Sequence, residues 1–282
     1  MNTCQKFLST SVLALFASAA FAQTPDLDDA LDFAVLGGTA VTCTTSVIAG
    51  DVGVSPGTAF TNTGCTITGD TPPATNAAAA RAQADLADAY ADARALPCPS
   101  GNVLLSTITG PVTLTPGVYC TGAALTGTGV LTLDAQGDRN AVWVFQIGTE
   151  ATGALTGTNF TVVMANGGQP CNVFWAPSAG VTMTTSALKG NILAGDTTSG
   201  SITMTGGSVA GSVLAAVAVS MTDTSVIGCD TLSPDESCKP RKHHKHKHKK
   251  GHGHDGDDHD HDDDDDDRGH GKSPWWGWGS KK

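Results

Sequence analysis

One short strand pattern, written three times, constrains this chain more than any other feature. V-T-M-T at 181–184 returns as I-T-M-T at 202–205 and as V-S-M-T at 219–222, 21 and then 17 residues apart. A second run follows the first two copies, L-K-G-N-I-L-A at 188–194 and V-A-G-S-V-L-A at 209–215. Self-similarity at this period marks a repeat architecture, in which a unit buries its apolar face only by stacking on its neighbour. The residues alternate as strand residues do, not at helical spacing. Val181, Met183, Ile202, Met204, Val219 and Met221 are therefore expected inside, with Thr182, Thr184, Thr203, Thr205, Ser220 and Thr222 outside. On a strand, residues two apart are separated by about 6.7 Å, and stacked strands by about 4.8 Å. The outer residues then form a grid of methyl and hydroxyl groups, stiff at χ1 because threonine is β-branched. No charge interrupts the grid before Asp223. A flat, uncharged face of this kind is poorly suited to a small solute and can serve as a template for ordered water. The same residues also suit any solvated strand face.

Residues 1–22 read as a secretory signal: Lys6, then an apolar stretch from Phe7 to Phe21, then Ala20-Phe21-Ala22 as a small-x-small cleavage site. The stretch is short for a membrane anchor, and no other run is as apolar. An exported, soluble protein is expected. Export favours disulfides, and seven cysteines remain after Cys4 leaves with the signal. None forms a C-x-x-C. We expect Cys43–Cys65, Cys98–Cys120 and Cys171–Cys229, with Cys238 left over, although many pairings are open to six cysteines.

From about Leu31 to Asp230 the chain is rich in Gly, Thr, Ala and Val, and its only cations are Arg81, Arg94, Arg139 and Lys189. We place one domain over 23–238. Short strands with Gly-rich turns fill most of it. The exception is 74–96, ATNAAAARAQADLADAYADARAL, which is dense in the best helix former. Thr75 or Asn76 is expected to cap it and Pro97 to follow it. Leu86 and Tyr90 share one face, and Arg81, Asp85, Asp88 and Asp92 are expected to face water.

The segments FAVLGGTAVT, GDVGVSPGTA, AAAARAQADLADAY, LTPGVYC, LTLDAQGDRNAVWVFQIG, CNVFWAPS and GNILA, in that order, resemble the microbial ice-binding protein family, whose domain is also described as adhesin-like. The resemblance covers nearly all of the domain. It implies a mainly β fold, an irregular right-handed β-helix of triangular section with one long helix alongside. It also implies adsorption to ice through one flat β-face. It supplies no binding residue, since the faces of the family vary; the threonine rows are read from this sequence alone.

Beyond the domain the chemistry changes. Residues 239–250, KPRKHHKHKHKK, are basic and 255–267, DGDDHDHDDDDDD, are acidic. Like-charge blocks of low complexity, here 239–272, are expected to stay disordered. His243, His244, His246, His248, His252, His254, His259 and His261 can bind divalent metal ions, and the basic block can meet an anionic cell surface. The net charge of −11 argues against nucleic acid. The last stretch, 273–282, holds Trp275, Trp276 and Trp278, which suit a membrane interface or a sugar surface.

Catalytic chemistry is missing from the domain. It has no histidine for a catalytic triad, no phosphate loop and no nucleophile elbow. Asp134 and Asp138 in DAQGD read as turn residues rather than paired catalytic carboxylates. The expectation is a secreted, non-enzymatic ice-binding protein without cofactor. The alternative is an adhesion module of the cell surface or extracellular matrix, with a charged, metal-binding tail.

Overall fold

The computed structural model describes residues 24–104 and 106–232. The signal segment, Cys238, the charged tail with its eight candidate metal-binding histidines, and the tryptophan-rich end all lie outside the described residues.

The described chain is mainly β, with parallel pairing between all its strands and one long helix. Three ladders recur. The first is a seven-stranded sheet ordered Asp51–Val54, Phe33–Gly37, Val213–Ala215, Asn191–Ala194, Val173–Pro177, Trp143–Ile147 and Gly117–Thr121. The second sheet holds the other two. One of these carries the threonine motifs; the other runs through Thr66–Ile67, Val47–Ala49, Ser225–Ile227, the second half of Ile202–Ala210 and of Val181–Lys189, Thr161–Ala165, Val130–Asp134 and Val112–Leu114. The chain visits the three ladders in turn, and, except where the helix intervenes, each visit repeats the last one strand further along. The runs at 188–194 and 209–215 cross between ladders at Gly190 and Gly211, with φ of 116° and 140°. A side chain at Gly211 would collide with the backbone of Gly190. That close stacking is why the second run repeats with glycine at the same place.

The first sheet explains the continuous apolar strands. FAVLG, WVFQI and VFWAP are buried along their whole length, because both faces are covered. Inward, Val35, Val213, Ile192, Trp175, Phe145 and Tyr119 join the main core. The Phe145 and Trp175 rings stack at 4.1 Å. Outward, Leu36, Leu214, Leu193, Phe174, Val144 and Val118 pack against the helix.

That helix is Asn76–Ala95, 20 residues long, and it buries Ala79, Ala82, Leu86, Ala89 and Ala93. The alanine stripe lets its backbone approach the sheet closely. Thr75 occupies the position before its first residue, as expected, but does not cap it through its side chain. The Thr75 hydroxyl donates to the Val52 carbonyl, 2.8 Å away, and no side chain caps the helix start. A hydroxyl buried against a strand carbonyl satisfies that carbonyl instead. Asp85 does not stand free in water either: its carboxylate accepts the Asp29 amide at 3.1 Å, and burial pushes its pKa up. Arg81 pairs with Asp29 at 2.7 Å.

The helix C-terminal end is clamped through side chains. Arg94 donates to the carbonyls of Ile147, Gly148 and Ala176 at 2.8–3.1 Å. Gln146 donates to the terminal carbonyls of Ala93 and Leu96 at 2.8 and 2.7 Å. Arg94→Ala removes three charge-assisted hydrogen bonds at once, and the expected loss of stability is about 2–4 kcal/mol in urea unfolding. A loss below about 1 kcal/mol would show that water replaces the guanidinium without cost.

The order of units in space departs from their order in sequence. The N-terminal strands Phe33–Gly37, Ala40–Thr44 and Val47–Ala49 pair with the C-terminal strands Val213–Ala215, Ala218–Thr222 and Ser225–Ile227. The helix carries the chain from the N-terminal units back to the far end of the stack. At about 1.5 Å per residue it spans roughly 30 Å, or about six strand spacings, which accounts for its length.

The disulfides join Cys43 to Cys65, Cys98 to Cys120 and Cys171 to Cys229. The first staples neighbouring N-terminal units, and the second ties the segment after the helix to the first sheet. Each such closure stabilises a fold by about 3–4 kcal/mol in the chain-entropy account. No described helix is long and apolar enough to cross a membrane.

Candidate functional site

The second ladder presents the threonines. Strand register places Thr182 beside Thr203 and Thr184 beside Thr205. It also places Thr203 beside Ser220 and Thr205 beside Thr222. Thr182, Thr184, Thr203 and Thr205 are exposed, and Ser220 and Thr222 are half-buried. Met183, Met204 and Met221 point the other way, into the core, at 0–1% exposure. The six residues therefore share one open face, and the helix lies on a different ladder.

The rows are longer than the three repeats. Through Thr182 the first row continues to Thr156, Thr126 and Thr107. Through Ser220 it continues to Thr42 and Thr61. It thus runs through eight strands, all threonine but for one serine. The second row continues from Thr184 to Thr158 and from Thr222 to Thr44 and Thr63. Sequence reasoning missed these eight threonines. The signal was present in V-T-C-T, F-T-N-T and two copies of L-T-G-T. Irregular spacing hid it, because the helix and long turns fall between copies.

Backbone chemistry at the edge keeps the face level. After the second row the chain turns into the third ladder through a single residue in the left-handed region. These residues are Thr45, Asn159, Thr185 and Asp223, with φ of 46–52°. At three of these bends the next residue is a hydroxyl, Ser46, Ser186 or Thr224, that turns inward and binds the backbone around the bend. The Ser46 hydroxyl donates to the Thr44 carbonyl at 2.9 Å and accepts the Thr224 amide at 3.0 Å. Ser186 does the same between the Thr184 carbonyl and the Phe160 amide. Such buried, satisfied hydroxyls fix the corner geometry. Asp223 stands on this corner rather than in a row, and its carboxylate accepts the Thr45 hydroxyl.

The other titratable groups sit elsewhere. Asp134 serves its turn: it accepts from Asn166 at 2.7 Å and from the Gln136 amide at 2.8 Å, and these bonds lower its pKa. Asp138 accepts the Asn140 amide at 2.8 Å. Asp230 is pushed up by burial, with Asp51 and Asp32 nearby. Among the described residues no cluster of three potential metal-ligating side chains occurs. The face offers packing and hydrogen bonding to a surface, with no carboxylate, amine or imidazole in its rows.

A family model described as Ice-binding-like matches residues 35–227. The ice-binding protein of Nostoc sp. (strain HG1) is 39% identical over 191 residues, which is 65% of this chain and 69% of that protein. The crystal structure of an ice-binding protein from an Antarctic biological consortium matches with a TM-score of 0.64 at 31% identity, covering 79% of this chain and 96% of that one. That of the ice-binding protein from the Antarctic ascomycete Antarctomyces psychrotrophicus matches with a TM-score of 0.64 at 30% identity, covering 73% and 98%.

Proposed function

Because the chain belongs to the Ice-binding-like family, we propose that it adsorbs to ice through the two threonine rows and so limits crystal growth or recrystallisation. The single observation that carries this reading is the register: hydroxyl and methyl groups repeat through eight strands in one row and six in the other, with no charge among them. The parallel ladders are read as the faces of an irregular right-handed β-helix of triangular section, the helix covering one face and leaving the threonine face open. The three disulfides support secretion, since oxidising compartments favour them.

The mechanism needs no cofactor. Each threonine offers a methyl and a hydroxyl from one stiff Cβ. Methyl groups confine water between the rows, and hydroxyls hold that water at fixed positions. All but the two end strands beneath are paired on both sides, so little conformational entropy remains to be lost on adsorption. No ion has to shed its hydration shell. The water held by the rows then freezes into the lattice as part of it. Surface growth is forced to curve between adsorbed molecules, which lowers the freezing point locally.

Nanolitre osmometry on the mature chain tests the reading. Ice crystals are expected to grow faceted, with a gap between melting and freezing points. Because the rows carry no titratable group, that gap is expected to stay flat between pH 4 and pH 9. Unshaped, disc-like crystals at micromolar protein would overturn the proposal.

A further inference from the structure

The third ladder presents a second face, and four of the five large hydrophobic side chains that stand exposed among the described residues lie on it: Val47, Val130, Val163 and Ile227. We infer that this face is a second ice-contact surface, set at an angle to the threonine rows and holding a different crystal plane. The inference rests on the reading of the threonine face given above.

Three observations carry it. First, its outer residues are also in continuous register: Val47, Ser225, Ser208, Ala187, Thr161 and Val130 form one row through six strands. Methyl groups and hydroxyls that threonine combines in one side chain are here divided between valine or alanine and serine or threonine. Second, the face is nearly free of charge. Lys189 lies beside Ala210 on it, and Asp134 at its edge is engaged by Asn166 and Gln136. The partner it fits is accordingly neutral and flat. Third, the face is continuous with the threonine rows. One left-handed residue and one buried residue separate them, as Thr185 and Ser186 do between Thr184 and Ala187. A crystal growing around one row meets the other face across that corner. Val130 with Val163, and Val47 with Ile227, sit on neighbouring strands, so the exposed apolar groups are paired rather than scattered singly.

Fluorescently labelled mature protein, adsorbed to a single-crystal ice hemisphere, tests the inference with two variants. The wild type is expected to coat two sets of planes. Val163→Lys with Ile227→Lys is expected to lose one set, and Thr203→Lys the other. Two linked contacts reinforce each other, so the double variant is expected to lose about twofold or more of its thermal hysteresis at an unchanged melting temperature. If the double variant keeps the full pattern while Thr203→Lys abolishes it, the third ladder is not an ice contact. If the wild type sediments as a dimer that the double variant dissolves, the face covers a second copy instead. If the wild type binds no plane at all, the threonine reading falls first and this inference with it.

Discussion

Replacing Thr205 by tyrosine is expected to abolish crystal shaping while leaving the fold intact. Thr205 lies at the centre of its row, between Thr184 and Thr222 and two residues from Thr203. A phenol ring there projects several ångströms beyond its neighbours, so the rest of the row is lifted from the lattice. Central residues of a contact carry most of its energy, and thermal hysteresis is expected to fall about tenfold or more. Tyrosine is a good strand residue and Thr205 is exposed. The thermal melting curve is therefore expected to coincide with that of the wild type. Ala91→Tyr, on the exposed side of the helix, is the control and should retain activity. Full hysteresis in Thr205→Tyr would rule out this face as the contact.

Phe160→Ala is expected to cost about 3–5 kcal/mol, the range for truncating a fully buried phenylalanine. Its ring is 0% exposed and meets Trp175 edge-on at 6.5 Å. It lies beneath Gly127, where an added Cβ would come within 2.5 Å of the ring. Gly127 pairs with Gly157, so the rows rest on the Phe160 ring at Gly127 and on Met183 at Gly157, where three other strands carry Met183, Met204 and Met221 of their own. Removing the ring opens a void under the strand that carries Thr126. Urea unfolding is expected to report the loss of stability, and the melting point should fall by about ten degrees. Hysteresis should drop as well, because the face loses its support there. A loss below about 1 kcal/mol would mean that Met183 and Trp175 close the void.

Much of this was legible in the sequence, for identifiable reasons. Threonine and methionine alternate without exception at 181–184 and 202–205, so strand, face and inward residues could be read together. The helix was equally plain, since nothing but a helix suits AAAARAQADLADAY. Its start falls where the sequence put it, but the capping was misjudged, because Thr75 satisfies a distant strand carbonyl rather than the amides after it. The full length of the rows was not recovered. L-T-G-T carries glycine where V-T-M-T carries methionine, because the Phe160 ring fills the space at Gly127 and the Met183 sulfur fills it at Gly157, both from later positions in the chain. The stacking of N-terminal units on C-terminal ones left no local trace, because parallel pairing sets no turn between the strands it joins.

That stacking has a consequence for how the protein is made. Ser46 receives a hydrogen bond from the Thr224 amide, 178 residues away, so this junction cannot form until nearly all of the described chain is available. Until then Ala40–Thr44 lacks one of its two neighbours, and such an unpaired edge invites association with other nascent chains. Closure between such distant segments is also slow. Delivery of the chain across a membrane before it folds would keep this vulnerable interval out of the crowded compartment where synthesis takes place.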